Sequence, residues 1–116
     1  MIPLLGLILG LIIGVLLPLR IPQELSTYAA VAILAALDSV LGGVVASMEK
    51  RFDIKVFLSG FFANSFLAAL LAFIGDKLGI QLYLAAIFAF GNRIFVNLGT
   101  LRRHLIQRYE DPRHHR

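Results

Sequence analysis

The sequence predicts an all-α polytopic membrane protein, with four transmembrane helices and a short basic cytoplasmic helix and tail after the last. Three observations carry this expectation. Apolar residues make up 59% of the 116-residue chain and charged residues only 16%. The apolar residues gather in long runs separated by short polar connections. Lys and Arg collect on one side of the crossings that those runs define. Ordinary soluble domains carry roughly 25% charged residues, and a chain this short has too much surface to cover with so few charges. The bilayer is then the solvent for most of the chain.

The spans fall at about residues 2–19, 28–47, 56–75 and 80–101, each near the ~20 residues that cross a hydrocarbon core. The first run has no Lys or Arg before it and no small-x-small cleavage site after it, so it reads as a retained anchor rather than a signal peptide. Pro18 and Pro22 break the chain after the first run, and Gly75 and Gly79 bracket the third connection. Lipid offers no partner to backbone N–H and C=O groups, so each span must be a helix. Runs such as 67–74 do not alternate as barrel strands would. The domain organisation follows: a four-helix transmembrane domain over 1–109 and a basic tail over 110–116.

Orientation follows from the basic residues. Four crossings place Lys50, Arg51, Lys55, Arg102, Arg103, Arg108, Arg113 and Arg116 on one side, and Arg20 and Lys77 on the other. The termini are therefore expected in the cytoplasm. Tyr28 and Tyr83 open the second and fourth spans at the opposite interface. Past the fourth span, Leu98, Leu101, Leu105 and Tyr109 recur at helical spacing while Arg102, Arg103 and Arg108 lie on other faces. This describes an amphipathic helix resting on anionic headgroups, or a solvated basic stub. Beyond Asp111-Pro112 the tail is expected to be disordered.

One buried polar cluster stands out. Asp38 lies ten residues after Tyr28, and Arg93 ten residues after Tyr83, in spans of like direction. Asn64 falls near the middle of the antiparallel third span, with Ser39, Ser65 and Asn92 flanking the set. A lone charge at a helix centre costs ~2.5–3.5 kcal/mol on insertion scales. Pairing of Asp38 with Arg93, with Asn64 beside them, relieves that cost; single neutralisations should then destabilise, and a charge-swapped double variant should recover at least part of the loss. The cluster reads either as glue that fixes helix register or as part of an ion, proton or substrate pathway.

Glycines form a second constellation. Gly6, Gly10 and Gly14 repeat at four-residue spacing along one face of the first span, a pattern that admits a second backbone at close range. That backbone belongs either to the protein's own helices or to another chain. Gly42 and Gly43 sit beside Asp38 and suit close packing or a locally unwound helix. The phenylalanines at 57, 61, 62, 66 and 73 face acyl chains or fill the bundle.

No chemistry-bearing motif is present. The chain has no cysteine, which excludes thiolate catalysis and Cys-based metal sites. It has no Walker loop, no G-x-S-x-G and no H-E-x-x-H. His104, His114 and His115 have no ligand set around them, so neither a metal nor a cofactor is expected. The basic tail lacks interleaved aromatics and therefore does not suggest nucleic acid. An enzyme is not expected.

The stretch 28–43, together with Ser59-Gly-Phe-Phe-Ala-Asn64, Gly75-Asp-Lys-Leu-Gly79, Tyr83-Leu-Ala-Ala86, Phe90-Gly-Asn-Arg-Ile-Phe95 and the Arg102-Arg103 pair, resembles the small basic protein family of bacterial membrane proteins. The resemblance covers nearly the whole chain. It implies a plasma-membrane protein of Gram-positive-type bacteria, often encoded beside cell-division or envelope genes, and it supplies no reaction. The expected role is a noncatalytic packing or scaffold subunit that meets the bilayer, copies of itself or envelope and division proteins. The alternative is an oligomeric transporter or channel subunit using Asp38, Asn64 and Arg93.

Overall fold

A computed structural model describes residues 2–110. Met1 and the segment expected as a disordered tail, with Arg113, His114, His115 and Arg116, lie outside the described residues. Within them the chain forms four α-helices: α1 (Ile2–Leu16), α2 (Ser26–Met48), α3 (Ile54–Leu78) and α4 (Tyr83–Glu110). A single 3-10 turn, Gln23–Leu25, leads into α2.

Three helices, α2 to α4, are long and apolar enough to cross a membrane. The first is shorter than its apolar run. Leu17 still donates to the Ile13 carbonyl at 3.0 Å, but Pro18 has no N–H and disfavours helical geometry at the residue before it. The 15 residues of α1 reach about 22 Å, less than the ~30 Å of a hydrocarbon core. The fourth helix starts at Tyr83 rather than Ile80, because residues 80–82 form the turn from α3. It then continues without a break to Glu110, as the helical spacing beyond the apolar run predicts.

The connections are built from helix-end hydrogen bonds. At the end of α3, Gly79 adopts left-handed geometry (φ 71°) and donates to Asp76, while Ile80 donates to Gly75 at 2.9 Å. This paired closure satisfies the last carbonyls of the helix. The same closure ends α2, where Lys50 donates to Ser47 and Arg51 to Ala46. Here the left-handed position is held by Lys50 (φ 60°), a conformation that a Cβ disfavours by roughly 1 kcal/mol. Lys50→Gly should therefore stabilise the protein slightly, by about half a kcal/mol or less once the entropy glycine loses is subtracted. An unchanged or lowered unfolding free energy in micelles would count against this strain. Asp53 then caps α3, its carboxylate accepting from the Lys55 N–H at 2.9 Å.

The second helix is central. Both α3 and α4 pack along it, and they touch each other only sparsely. One core, toward the α3–α4 turn, is Val31, Ala35, Ala68, Ala72 and Ala86 with Tyr28, Leu71, Tyr83 and Phe90 packed on it. Small side chains let the three backbones approach here. The other core, Val40, Val44 and Met48, takes Leu7, Phe57, Phe61 and Leu101. The phenylalanines of α3 divide between the two expected roles: Phe57 and Phe61 fill the bundle, while Phe62, Phe66 and Phe73 face outward.

By contrast, α1 is held only near its start. Pro3 is buried and Leu7 half-buried, and the rest of the helix is open. Gly43 makes the attachment possible: a Cβ there would come within 3.0 Å of both the Phe57 ring and the Pro3 ring. Among the described residues, nothing lies within 4 Å of a Cβ built on Gly6, Gly10 or Gly14. The glycine face of α1 is therefore not occupied by the protein's own helices.

Candidate functional site

Because α3 and α4 diverge from the alanine core toward the α2–α3 connection, a groove opens between them with α2 as its floor. Its volume is about 650 Å³, within the range of small-molecule sites. Asp38, Ser39, Gly42 and Gly43 line the floor, Gly60 and Asn64 one wall, Asn92, Arg93 and Asn97 the other, and Arg51 and Asp53 the mouth. Gly42 and Gly60 widen it, since neither would meet a closely packed neighbour with a Cβ.

The two charges expected to meet do so. Arg93 Nε lies 3.4 Å from Asp38 Oδ2. Their environments differ sharply: the Asp38 side chain is 0% exposed, and that of Arg93 is 58% exposed. Among the described residues, neither carboxylate oxygen of Asp38 accepts a hydrogen bond, so the pair is an ion contact without directed bonding. Asn64 lies in the same groove but does not close the pair; its Nδ2 donates to Ser39 Oγ at 3.4 Å. Asn92 is exposed on the groove wall. Ser65, expected beside the cluster, turns to its own helix and donates to the Phe61 carbonyl.

Gly42 and Gly43 lie in an unbroken helix, so neither marks unwinding; Gly43 serves close packing, and Gly42 lines the groove. Sequence reasoning missed Asn97. The available signal was its position one helical turn after Arg93, which places both on one face of α4. It also missed a second long-range contact, in which the Tyr28 hydroxyl donates to Asp76 Oδ2. Tyr28 opens α2 and Asp76 closes the antiparallel α3, so the two had to share a level. Lys77 sits over the Phe73 ring beside them, 5.4 Å from its centroid.

At the other end, Glu49 ties α4 to the α2–α3 connection. Its carboxylate takes Arg51 at 2.7 Å and His104 at 3.0 Å. The Arg51 hydrogen bond, and then that of His104, hold the Glu49 carboxyl below the ordinary glutamate range. Arg102, Arg103 and Arg108 are all exposed on the last turns of α4. Leu101 packs on the core, while Leu98 and Leu105 remain open on the apolar side.

Three helices long and apolar enough to cross a membrane, packed around a groove with a charge pair at mid-helix, are compatible with a helical membrane protein. The chain belongs to the family described as "Protein of unknown function (DUF1290)", which matches residues 21–106. It is 50% identical over 108 residues to the "Small basic protein" of Bacillus subtilis (strain 168), covering 93% of this chain and 89% of that one. It is also 48% identical over 80 residues to an uncharacterized protein of Mycobacterium tuberculosis (strain ATCC 25618 / H37Rv), covering 67% of this chain and 66% of the relative. A protein of Mycobacterium bovis matches to the same extent. No solved structure matches the chain. The family match begins after α1, and the Bacillus relative extends the similarity over most of the chain.

Proposed function

We propose that the chain is a noncatalytic protein of the bacterial plasma membrane that works as an interaction subunit, with both termini in the cytoplasm and α1 as its docking element. The supporting observation is the state of α1: an apolar helix fastened through Pro3 and Leu7, with an open glycine face. In lipid, such a face lets another helix approach closely enough to gain backbone-level van der Waals packing. The first apolar run, extended through Leu17 to Leu19, completes a fourth crossing by local bilayer thinning. The eight-to-two distribution of Lys and Arg then sets the orientation. The exposed arginines at 102, 103 and 108 rest on anionic headgroups. A scaffold in envelope or division assembly fits this picture and the resemblance.

The absence of cysteine makes the test direct. Single cysteines at Gly6, Gly10 and Gly14 should crosslink in native membranes, to a second copy or to a helix of another protein, and cysteines at Leu5 and Leu9 should not. Equal crosslinking from all five positions, or none, would remove α1 from the docking role.

The groove favours a second reading, a transporter or channel subunit that is closed on one side. The alanine core seals the end near Tyr28 and Tyr83, so one copy offers a vestibule from the basic end rather than a through-path. Cysteines at Ser39, Asn64 and Asn97 should react with a water-soluble maleimide if the groove is wet. Silence at all three would leave the charge pair as packing glue.

A further inference from the structure

Two anomalies meet at one place in the groove. Asp38 is fully buried, yet neither of its oxygens accepts a hydrogen bond. Buried polar groups normally find partners, and an unpaired carboxylate is the costliest kind to leave without one. Arg93 has the reverse problem. Its guanidinium carries five donors, meets Asp38 only through Nε at 3.4 Å, and leaves 58% of its side chain in the open groove. Among the described residues, an acceptor without hydrogen-bond donors lies against a donor without hydrogen-bond acceptors.

The groove as a whole is charge-balanced. Arg93 and Arg51 stand against Asp38 and Asp53 among its lining residues. A simple anion would be repelled by Asp38 and a simple cation by Arg93. A molecule carrying one ammonium and one oxyanion on neighbouring atoms satisfies both residues and adds no net charge.

The geometry points to a binding site for a small water-soluble zwitterion of the α-amino acid type, its ammonium on Asp38 and its carboxylate on the Arg93 guanidinium. For this the guanidinium turns further into the groove and uncovers the Asp38 oxygens. That movement breaks a 3.4 Å ion contact but no hydrogen bond, because Asp38 accepts none. The carboxylate then takes a forked pair of N–H donors from Arg93. Asn92 and Asn97 on α4 and Asn64 on α3 lie around it, with amides that can both donate and accept. Access is from the mouth between Arg51 and Asp53, cytoplasmic in the orientation proposed above. The far end is closed by the core of Ala35, Ala68, Ala72 and Ala86. The inference rests on the wet groove of the second reading, and it requires no transport.

The test uses the full chain in nanodiscs of phosphatidylglycerol, a lipid without an ammonium group, and equilibrium dialysis against radiolabelled glycine, L-alanine, L-serine and L-glutamine. At least one should be retained saturably. Unlabelled amino acid should compete, and acetate or methylamine alone should not. In Asp38→Asn and in Arg93→Gln the Kd should rise at least about tenfold, each lost charge contact being worth that much or more. The competition series needs only the wild-type protein, so it decides even if a variant fails to fold. Absence of saturable retention overturns the site, as does competition by acetate or methylamine equal to that of the amino acid. Displacement of the label on changing the discs to phosphatidylethanolamine would assign the site to a lipid headgroup and overturn the soluble ligand. Reactive cysteines at Ser39, Asn64 and Asn97 without retention would leave the wet groove standing while ending the zwitterion site.

Discussion

Arg93→Gln is expected to cost about 3–5 kcal/mol, the penalty of leaving a buried charge without its partner, and Asp38→Asn much less. The asymmetry follows from burial. Asp38 is 0% exposed, and among the described residues no hydrogen bond reaches either oxygen. Removing the guanidinium strands a carboxylate in an apolar interior. Removing the carboxylate strands a guanidinium that is already 58% exposed in the groove; with the groove wet, as the second reading has it, water replaces Asp38 at a cost on the order of 1 kcal/mol, as for exposed pairs. The double neutralisation should lie closer to Asp38→Asn than to Arg93→Gln, because no charge remains buried. Unfolding free energies in mixed micelles titrated with dodecyl sulfate measure all three. Equal losses for the two single variants would mean that the contact is not the main support of Asp38. The structure also changes one expectation drawn from depth alone. A charge-swapped pair should not recover, since an arginine at 38 would have to fit a site with no exposed surface between α2, α3 and α4.

The pairing itself was legible because depth in a helix is countable. Ten residues from Tyr28 to Asp38 and ten from Tyr83 to Arg93 fix a common level whatever the rotation of the helices. What counting cannot give is which side of each helix turns inward, and so the sequence carried no sign that Asp38 would be sealed and Arg93 open. Asn64 shows the same limit. Its depth matches, but its amide turns to Ser39. The groove was illegible for a related reason: it arises from the divergence of α3 from α4, a property of how both rest on α2. The first helix was misjudged in length, although the deciding residue was visible. Apolar character continues through Leu19, and composition counts those residues, whereas Pro18 ends the hydrogen-bond ladder at Leu17. The glycine spacing on α1 was legible as a contact face and silent about the contact, which the structure shows is not with the chain's own helices.

The turn between α3 and α4 should be the place where one methyl group does most damage. A Cβ on Gly75 would lie 2.5 Å from the Ile80 carbonyl oxygen and 2.9 Å from both the backbone N and the Cβ of Leu82. The nearest of these atoms is backbone, and that backbone is fixed by the Ile80 N–H, which donates to the Gly75 carbonyl itself. No flexible side-chain end can yield, so the turn must open, and overpacking of this kind costs about 1–3 kcal/mol. Opening it also moves the start of α4 relative to the end of α3, which loosens the Tyr28–Asp76 hydrogen bond and the alanine core below it. Gly79→Ala separates sterics from conformation. That glycine has φ 71° and nothing within 4 Å, so its variant loses only the left-handed preference, roughly 1 kcal/mol. Gly99→Ala is the opposite control, a mid-helix glycine in open space where alanine should stabilise by up to about 1 kcal/mol. The expected order of unfolding free energies is Gly99→Ala above wild type, then Gly79→Ala, with Gly75→Ala lowest. If Gly75→Ala matched Gly99→Ala, the third and fourth helices could not be joined as closely as this turn requires.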